Sequence, residues 1–306
     1  MCSSVRSNAT ASISMRSARR KLLRGLAALL ASSAALSLVP SRSVAQSTFM
    51  PLPATPTLPE PYAQGHVARP DAKLWFATFG EAKAPAVLLL HGGGGSSDYW
   101  GGLIRLLSTD HFVVVVDSRG QGRSTNDAAH ISYEQMAEDA IAVLDHLKIG
   151  RAAVVGWSDG ANTGFYLALN HAARISALLA FAGNATPAGY QPNTNPALMQ
   201  AYVARTRAEY ERLSPTPARY GEEMKKLSLM WKTQPSLTTK DLQSIRVRTL
   251  VLHAEHDEII RRTHSEEIAR AIPDATLVIL SGAGHFALLQ QADAFNRIAR
   301  EFLSRR

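Results

Sequence analysis

The sequence predicts an α/β protein with a doubly wound, mostly parallel sheet, and three observations carry that expectation. Short apolar runs recur along the chain, segments of helical periodicity separate them, and one long stretch from 185 to 244 interrupts the alternation.

The strand candidates come in order as Ala86–Leu90 (AVLLL), Phe112–Val116 (FVVVV), Ala152–Gly156 (AAVVG), Ile175–Ala182 (ISALLAFA), Thr249–His253 (TLVLH) and Thr276–Leu280 (TLVIL). Each is a nearly continuous apolar run instead of an alternating one, the pattern of a strand covered on both faces. Between the second and third, Ser132 opens a helix with Gln135 three places on, a capping-box spacing. Met136, Ala140, Val143, Leu144 and Leu147 then follow at helical intervals. The stretch 185–244 is rich in Pro, Asn and Tyr and shows no strand pattern. It is expected to form a helical lid inserted in the α/β unit. The α/β domain is expected over 63–306.

Ahead of it, Pro51, Pro53, Pro56, Pro59 and Pro61 punctuate residues 46–62 and favour extended backbone, so this segment reads as a proline-rich tether. Residues 1–45 read as a signal peptide: a basic stretch through Arg24, an apolar run from Gly25 to Val39, and the small-residue site Ser43, Val44, Ala45, with cleavage expected after Ala45. Arg19 and Arg20 followed by Leu22 and Leu23 resemble a twin-arginine export signal, although Ala18 stands where Ser or Thr is usual; a Sec signal is the alternative. The apolar run is shorter than the roughly 18 residues of a spanning helix, so no stable membrane insertion is expected after cleavage. The protein is thus expected to meet export machinery and to be periplasmic or secreted.

The net charge of +8 raises the question of nucleic acid, but its placement removes the basis for it. Arg6, Arg16, Arg19, Arg20, Lys21, Arg24 and Arg42 all fall within residues 1–45, which hold no acid, and the remainder is nearly neutral. Cys2 is the only cysteine and lies in the segment expected to be removed, which excludes a disulfide framework, a thiolate nucleophile and a cysteine zinc site in the mature chain.

The chemistry begins at Gly156-Trp157-Ser158-Asp159-Gly160, between an apolar run and a helix-like segment. Glycines two before and two after the serine permit a tight turn that lifts its hydroxyl off the sheet: the nucleophile-elbow pattern. A serine hydroxyl needs a base, and His285, in SGAGHFALL after the last apolar run, is the candidate. The base needs an acid to fix its tautomer, and Asp257, four places beyond TLVLH, meets the condition, with Glu255 and Glu258 as neighbouring rivals. The glycine-rich HGGGGSS (His91 to Ser97) follows the first strand. The backbone N–H groups of Gly93 and Asp159 are the candidate oxyanion hole. No Lys and Ser/Thr pair closes that loop as a phosphate-binding loop requires. Asp117, in DSRGQGRS, reads as a turn-stabilising residue. His253, His256 and His264 fall on a strand end and loop rather than one helix face, so no metal is expected.

Together, LLHGGGG, VVDSRGQGRS, GWSDGAN, LHAEHDEII and GAGHFALL resemble the α/β-hydrolase family, in its order and spacing, from about Leu74 to Leu303 with the lid excepted. GWSDGAN looks most like the branch of valacyclovir hydrolase, arylesterases and enol-lactonases. Ser158 separates the chain from the dehalogenases and epoxide hydrolases, which carry Asp there. The resemblance implies an α/β-hydrolase fold with Ser158 as nucleophile, His285 as base, Asp257 as orienting acid, and Gly93 and Asp159 as oxyanion donors. The expected activity is cofactor-free hydrolysis of a small ester-like substrate through an acyl-enzyme. A lactonase, amidase or cofactor-free perhydrolase on the same residues is the alternative, and a non-catalytic ligand-binding protein is the rival of another class.

Overall fold

A computed structural model describes residues 51–305; the signal-like segment 1–45 lies outside them. Eight strands form one sheet in the order β1-β2-β4-β3-β5-β6-β7-β8. They are β1 (Ala63–Arg69), β2 (Ala72–Phe79), β3 (Ala86–Leu90), β4 (Phe112–Val116), β5 (Ala152–Trp157), β6 (Ile175–Phe181), β7 (Thr249–Ala254) and β8 (Ala275–Leu280). The six apolar runs are β3 to β8, all parallel to their neighbours among themselves. The hairpin β1–β2 adds an antiparallel edge that the apolar pattern did not reveal.

Nine α-helices accompany the strands among the described residues: α1 (Gly101–Leu107), α2 (Tyr133–His146), α3 (Asp159–Asn170), α4 (Pro196–Leu213), α5 (Tyr220–Thr233), α6 (Thr239–Ser244), α7 (Arg262–Ala271), α8 (Ala287–Gln290) and α9 (Ala292–Ser304). Ser132 caps α2, its side chain accepting from the Gln135 N–H, but the capping box its spacing suggests is not closed, because the Gln135 side chain donates to Asp71 instead. The sheet is covered on both faces, and successive residues of one strand serve opposite cores. Val114 and Val116 pack with Val143 and Phe165 of α2 and α3, whereas Val113 and Val115 pack with Ile104 and Phe302 of α1 and α9. That two-sided burial is why FVVVV contains no polar residue.

Helices α4, α5 and α6 all lie between β6 and β7, in the stretch without a strand pattern. Residues 51–61 form no regular element, consistent with their prolines, yet they do not hang free as the expected tether. Leu52 and Leu58 pack against the core, and Arg205 of α4 donates to the carbonyls of Leu52 and Pro53.

Because the chain steps from β3 outward to β4 and then returns to β5 on the other side of β3, the carboxyl ends of β3 and β5 flank the point where the winding reverses. Loops at such a point diverge and leave a crevice, the usual ligand position in open α/β sheets.

Candidate active site

The crevice is built from four strand ends. Leu90 leads into the glycine loop, Trp157 into Ser158, Ala254 toward Asp257, and Leu280 toward His285. Ser158 sits at the junction of β5 and α3 with φ 54° and ψ −114°, a conformation that costs an L-residue on the order of 1–3 kcal/mol and is held by its surroundings. Its N–H donates to Phe181 O at 2.8 Å. The two flanking glycines are required by contact: a Cβ on Gly156 would overlap the Gly160 carbonyl, and one on Gly160 would overlap the Leu90 carbonyl.

The structure brings Ser158, His285 and Asp257 into one hydrogen-bonded chain. The Nε2 of His285 is 3.1 Å from Ser158 Oγ, and its Nδ1 is 3.0 and 3.1 Å from the two Asp257 oxygens. Asp257 is oriented by the Ile259 and Ile260 amides, which donate to Oδ1 at 2.9 and 2.8 Å. Burial pushes the Asp257 carboxyl up, but the His285 charge, the hydrogen bond from that ring and the Ile260 amide together hold it below its ordinary value. Burial likewise pushes His285 down, and is outweighed by the charge and hydrogen bond of Asp257 with help from Glu258 and Asp159, so the imidazole titrates above 6.5.

The rival carboxylates serve the histidine loop instead. Glu258 Oε2 accepts from the His285 N–H at 2.8 Å, and Glu255 accepts from Ser281 Oγ and the Gly282 N–H. Trp157 Nε1 donates to His285 O at 2.9 Å, so the residue before the serine also anchors the histidine. His253, His256 and His264 take separate surroundings: His253 bonds Ser265, His264 accepts from the Ala185 amide, and His256 is exposed. Asp117 is fully buried and accepts from the Ser97 and Arg123 amides and from Arg123 Nη1. It is a turn-stabilising residue.

The glycine loop is pinned around Gly93. Gly94 N–H donates to Gln121 Oε1 at 2.6 Å, Tyr202 Oη donates to Gly93 O at 2.9 Å, and Gly95 N–H closes a turn on Gly92 O. Among the described residues neither the Gly93 nor the Asp159 amide donates a hydrogen bond, and both residues line the cavity above Ser158. Its volume is about 550 Å³, and its walls are chiefly Trp157, Tyr190, Met199, Tyr202, Trp231 and Phe286. Tyr202 and Met199 come from α4 and Trp231 from α5, so the helical stretch between β6 and β7 supplies much of that wall.

One group was missed in the sequence reading, which used only the backbone of Asp159. Its carboxylate is buried beside Gly93, accepting from Tyr133 Oη at 2.7 Å and from Trp231 Nε1 at 3.0 and 2.9 Å. Burial raises its pKa, and the hydrogen bonds from Trp231 and Tyr133 and the nearby His285 charge offset this only in part.

A model of the alpha/beta hydrolase family matches residues 87–298, which spans the glycine loop, the serine, the acid and the histidine. The chain belongs to the alpha/beta hydrolase family. It is 31% identical over 241 residues to a putative carbamate hydrolase, RutD, of Caulobacter sp. (strain K31), covering 71% of this chain and 90% of that one. To the human serine hydrolase BPHL it is 26% identical over 234 residues, 71% of this chain and 79% of that one. Among solved structures, the enol-lactonase of Burkholderia xenovorans LB400 superposes with a TM-score of 0.64 at 25% identity, covering 78% of this chain and all of that one. The alpha/beta hydrolase family and fold expected from the sequence, and the expected likeness to enol-lactonases, are therefore both found.

Proposed function

We propose that this hydrolase cleaves small carboxylic esters through an acyl-enzyme on Ser158, and that it does so outside the cytoplasm. The single observation that carries the chemistry is the chain Ser158 Oγ, His285, Asp257, closed at 3.1 and 3.0 Å. Ser158 Oγ attacks the carbonyl carbon while His285 Nε2 takes its proton. The carbonyl oxygen becomes an anion facing the Gly93 and Asp159 amides, each worth roughly 3 kcal/mol if such a donor is removed. The C–O bond to the alcohol then breaks, and His285 returns the proton to the leaving oxygen. Water attacks the acyl group, gives a proton to the same nitrogen, and the carboxylic acid departs with Ser158 restored. Asp257 holds the imidazole with Nδ1–H toward itself throughout.

The aromatic cavity walls favour an apolar group on the substrate, because apolar area leaves water there. Two of the relatives named above are an enol-lactonase and a putative carbamate hydrolase, so a lactone or carbamate carbonyl is the second reading. The extracytoplasmic location rests on the basic and apolar pattern of residues 1–45 alone.

Intact-mass analysis after a fluorophosphonate probe tests the mechanism. One adduct on the wild-type protein, absent from Ser158→Ala, is expected. No adduct on folded wild-type protein overturns it and favours a non-catalytic binding protein. A panel of esters, lactones and carbamates then separates the two substrate readings.

A further inference from the structure

We infer that the proline-rich segment 51–61 is a brace that fixes α4 and so sets the width of the substrate cavity; this rests on the hydrolase reading above. A segment with Pro at 51, 53, 56, 59 and 61 offers few N–H donors and cannot join a helix or sheet, but its carbonyls remain free acceptors. Arg205 takes two consecutive ones, donating from Nη1 to Pro53 O and from Nη2 to Leu52 O, the latter at 2.9 Å. A guanidinium fork on two fixed carbonyls holds orientation as well as distance. One turn further along α4, Glu209 accepts from Thr55 Oγ1. On the other side, Arg105 of α1 donates to Thr57 O at 2.8 Å, and Gly101 lets Thr57 lie against the start of α1.

The same helix reaches the cavity with its other half. Met199 and Tyr202 line the cavity, and Tyr202 Oη holds the Gly93 carbonyl at 2.9 Å. From Met199 to Glu209 is about 15 Å along the axis at roughly 1.5 Å per residue, so α4 is a short rigid lever. Its Arg205–Glu209 half is bound to residues 51–61, and its Met199–Tyr202 half forms cavity wall. Releasing the brace frees the lever to tilt outward, which widens the pocket and loosens the Gly93 loop together.

The test uses the full chain with p-nitrophenyl acetate and p-nitrophenyl octanoate. Arg205→Met removes the fork from the α4 side. Gly101→Ala acts from the far side without touching α4, since its Cβ would stand 2.5 Å from Thr57 O and 2.9 Å from Pro56 Cβ. Both variants are expected to shift the octanoate-to-acetate ratio of kcat/KM at least tenfold toward octanoate, with Arg205→Lys intermediate. A role in general stability alone would lower both rates together and leave the ratio unchanged, and that result overturns the brace. A shift in Arg205→Met but not in Gly101→Ala also overturns it, because the effect then belongs to α4 itself. Fluorophosphonate labelling of the wild type separates this failure from that of the hydrolase reading.

Discussion

Trp231 Nε1 donates to both oxygens of Asp159, at 3.0 and 2.9 Å, so a helix from the stretch between β6 and β7 is hydrogen-bonded to the residue that follows Ser158. The bond joins two parts of the chain 72 residues apart and keeps a carboxylate within the cavity wall. Both of its hydrogen-bond donors are neutral, and together with the nearby His285 charge they offset its burial only in part.

The stability of the protein should record that cost. Asp159 titrates above its ordinary value in the folded state because it is buried, so between its unfolded and folded pKa the native state binds more protons than the unfolded one. Stability contributed by this residue is therefore lost as pH rises through that window. Asp159→Asn keeps an oxygen for Tyr133 and Trp231 and removes the charge. The variant is expected to melt above wild type at pH 7, with the gain shrinking toward pH 4. Equal melting curves at both pH values would show that the carboxylate carries no such burial cost.

The activity profile should be governed by a different pair. His285 must be neutral to accept the Ser158 proton, and it titrates above 6.5. The acid limb of kcat/KM is then expected above pH 6.5, rate rising with pH as the imidazole loses its proton. Asp257→Asn removes the charge that lifts His285, moving the limb to lower pH. It also removes the acceptor that fixes the tautomer, lowering kcat by roughly three to four orders of magnitude. A pH–rate series on both proteins checks the two effects together; an unmoved limb in the variant would refute the pairing as the origin of the shift.

Asp117 is the case in which a buried carboxylate has no part in the reaction. It accepts two amides and an Arg123 guanidinium at the base of the DSRGQGRS loop, and removing it leaves those donors unpaired. Asp117→Ala is expected to cost about 3 kcal/mol of folding stability, the scale of a broken buried pair. The folded fraction should still label at Ser158. Urea unfolding beside probe labelling reads both; a stable but unlabelled variant would move Asp117 into the catalytic machinery.

The parallel strands and the three residues of the hydrogen-bonded chain were legible in the sequence for the same reason. Strands β5 and β7, buried along their length, are written as nearly continuous apolar runs, the edge strand β8 reads the same although only Leu280 is buried in it, and Ser158, Asp257 and His285 each follow one of the three within five residues. Strand β1 was not legible, because it pairs only with β2 and most of its side chains face solvent, so Ala63–Arg69 carries no apolar signature. The same limit hid the setting of the Asp159 carboxylate: its donors, Tyr133 and Trp231, stand 26 and 72 residues away, and no local pattern records such pairs. Residues 51–61 form no regular element, as their prolines lead one to expect, but proline content records nothing of Arg205 on α4, which donates to their carbonyls.

The elbow offers a sharper test, because two glycines of α3 meet very different neighbours. A Cβ on Gly160 would overlap the carbonyl oxygen of Leu90, a backbone atom locked between β4 and β5 in the sheet. A Cβ on Gly164 would clash only with Leu178 Cδ1, at 2.6 Å, the far end of a side chain, with Val154 Cγ1 at an ordinary 3.7 Å. Gly164 is interior to α3, where replacing glycine by alanine gains about 1 kcal/mol. At Gly164 that gain offsets much of an overpacking cost of roughly 1–3 kcal/mol, so Gly164→Ala should stay within about 2 kcal/mol of wild type. At Gly160 the overlap is with fixed backbone, and relief requires α3 to move off β3, carrying Ser158 away from His285. Gly160→Ala should therefore lose both folding stability, by more than Gly164→Ala, and fluorophosphonate labelling. If the two variants unfold at the same denaturant concentration and label equally, close packing of α3 on β3 is not what holds the nucleophile in place.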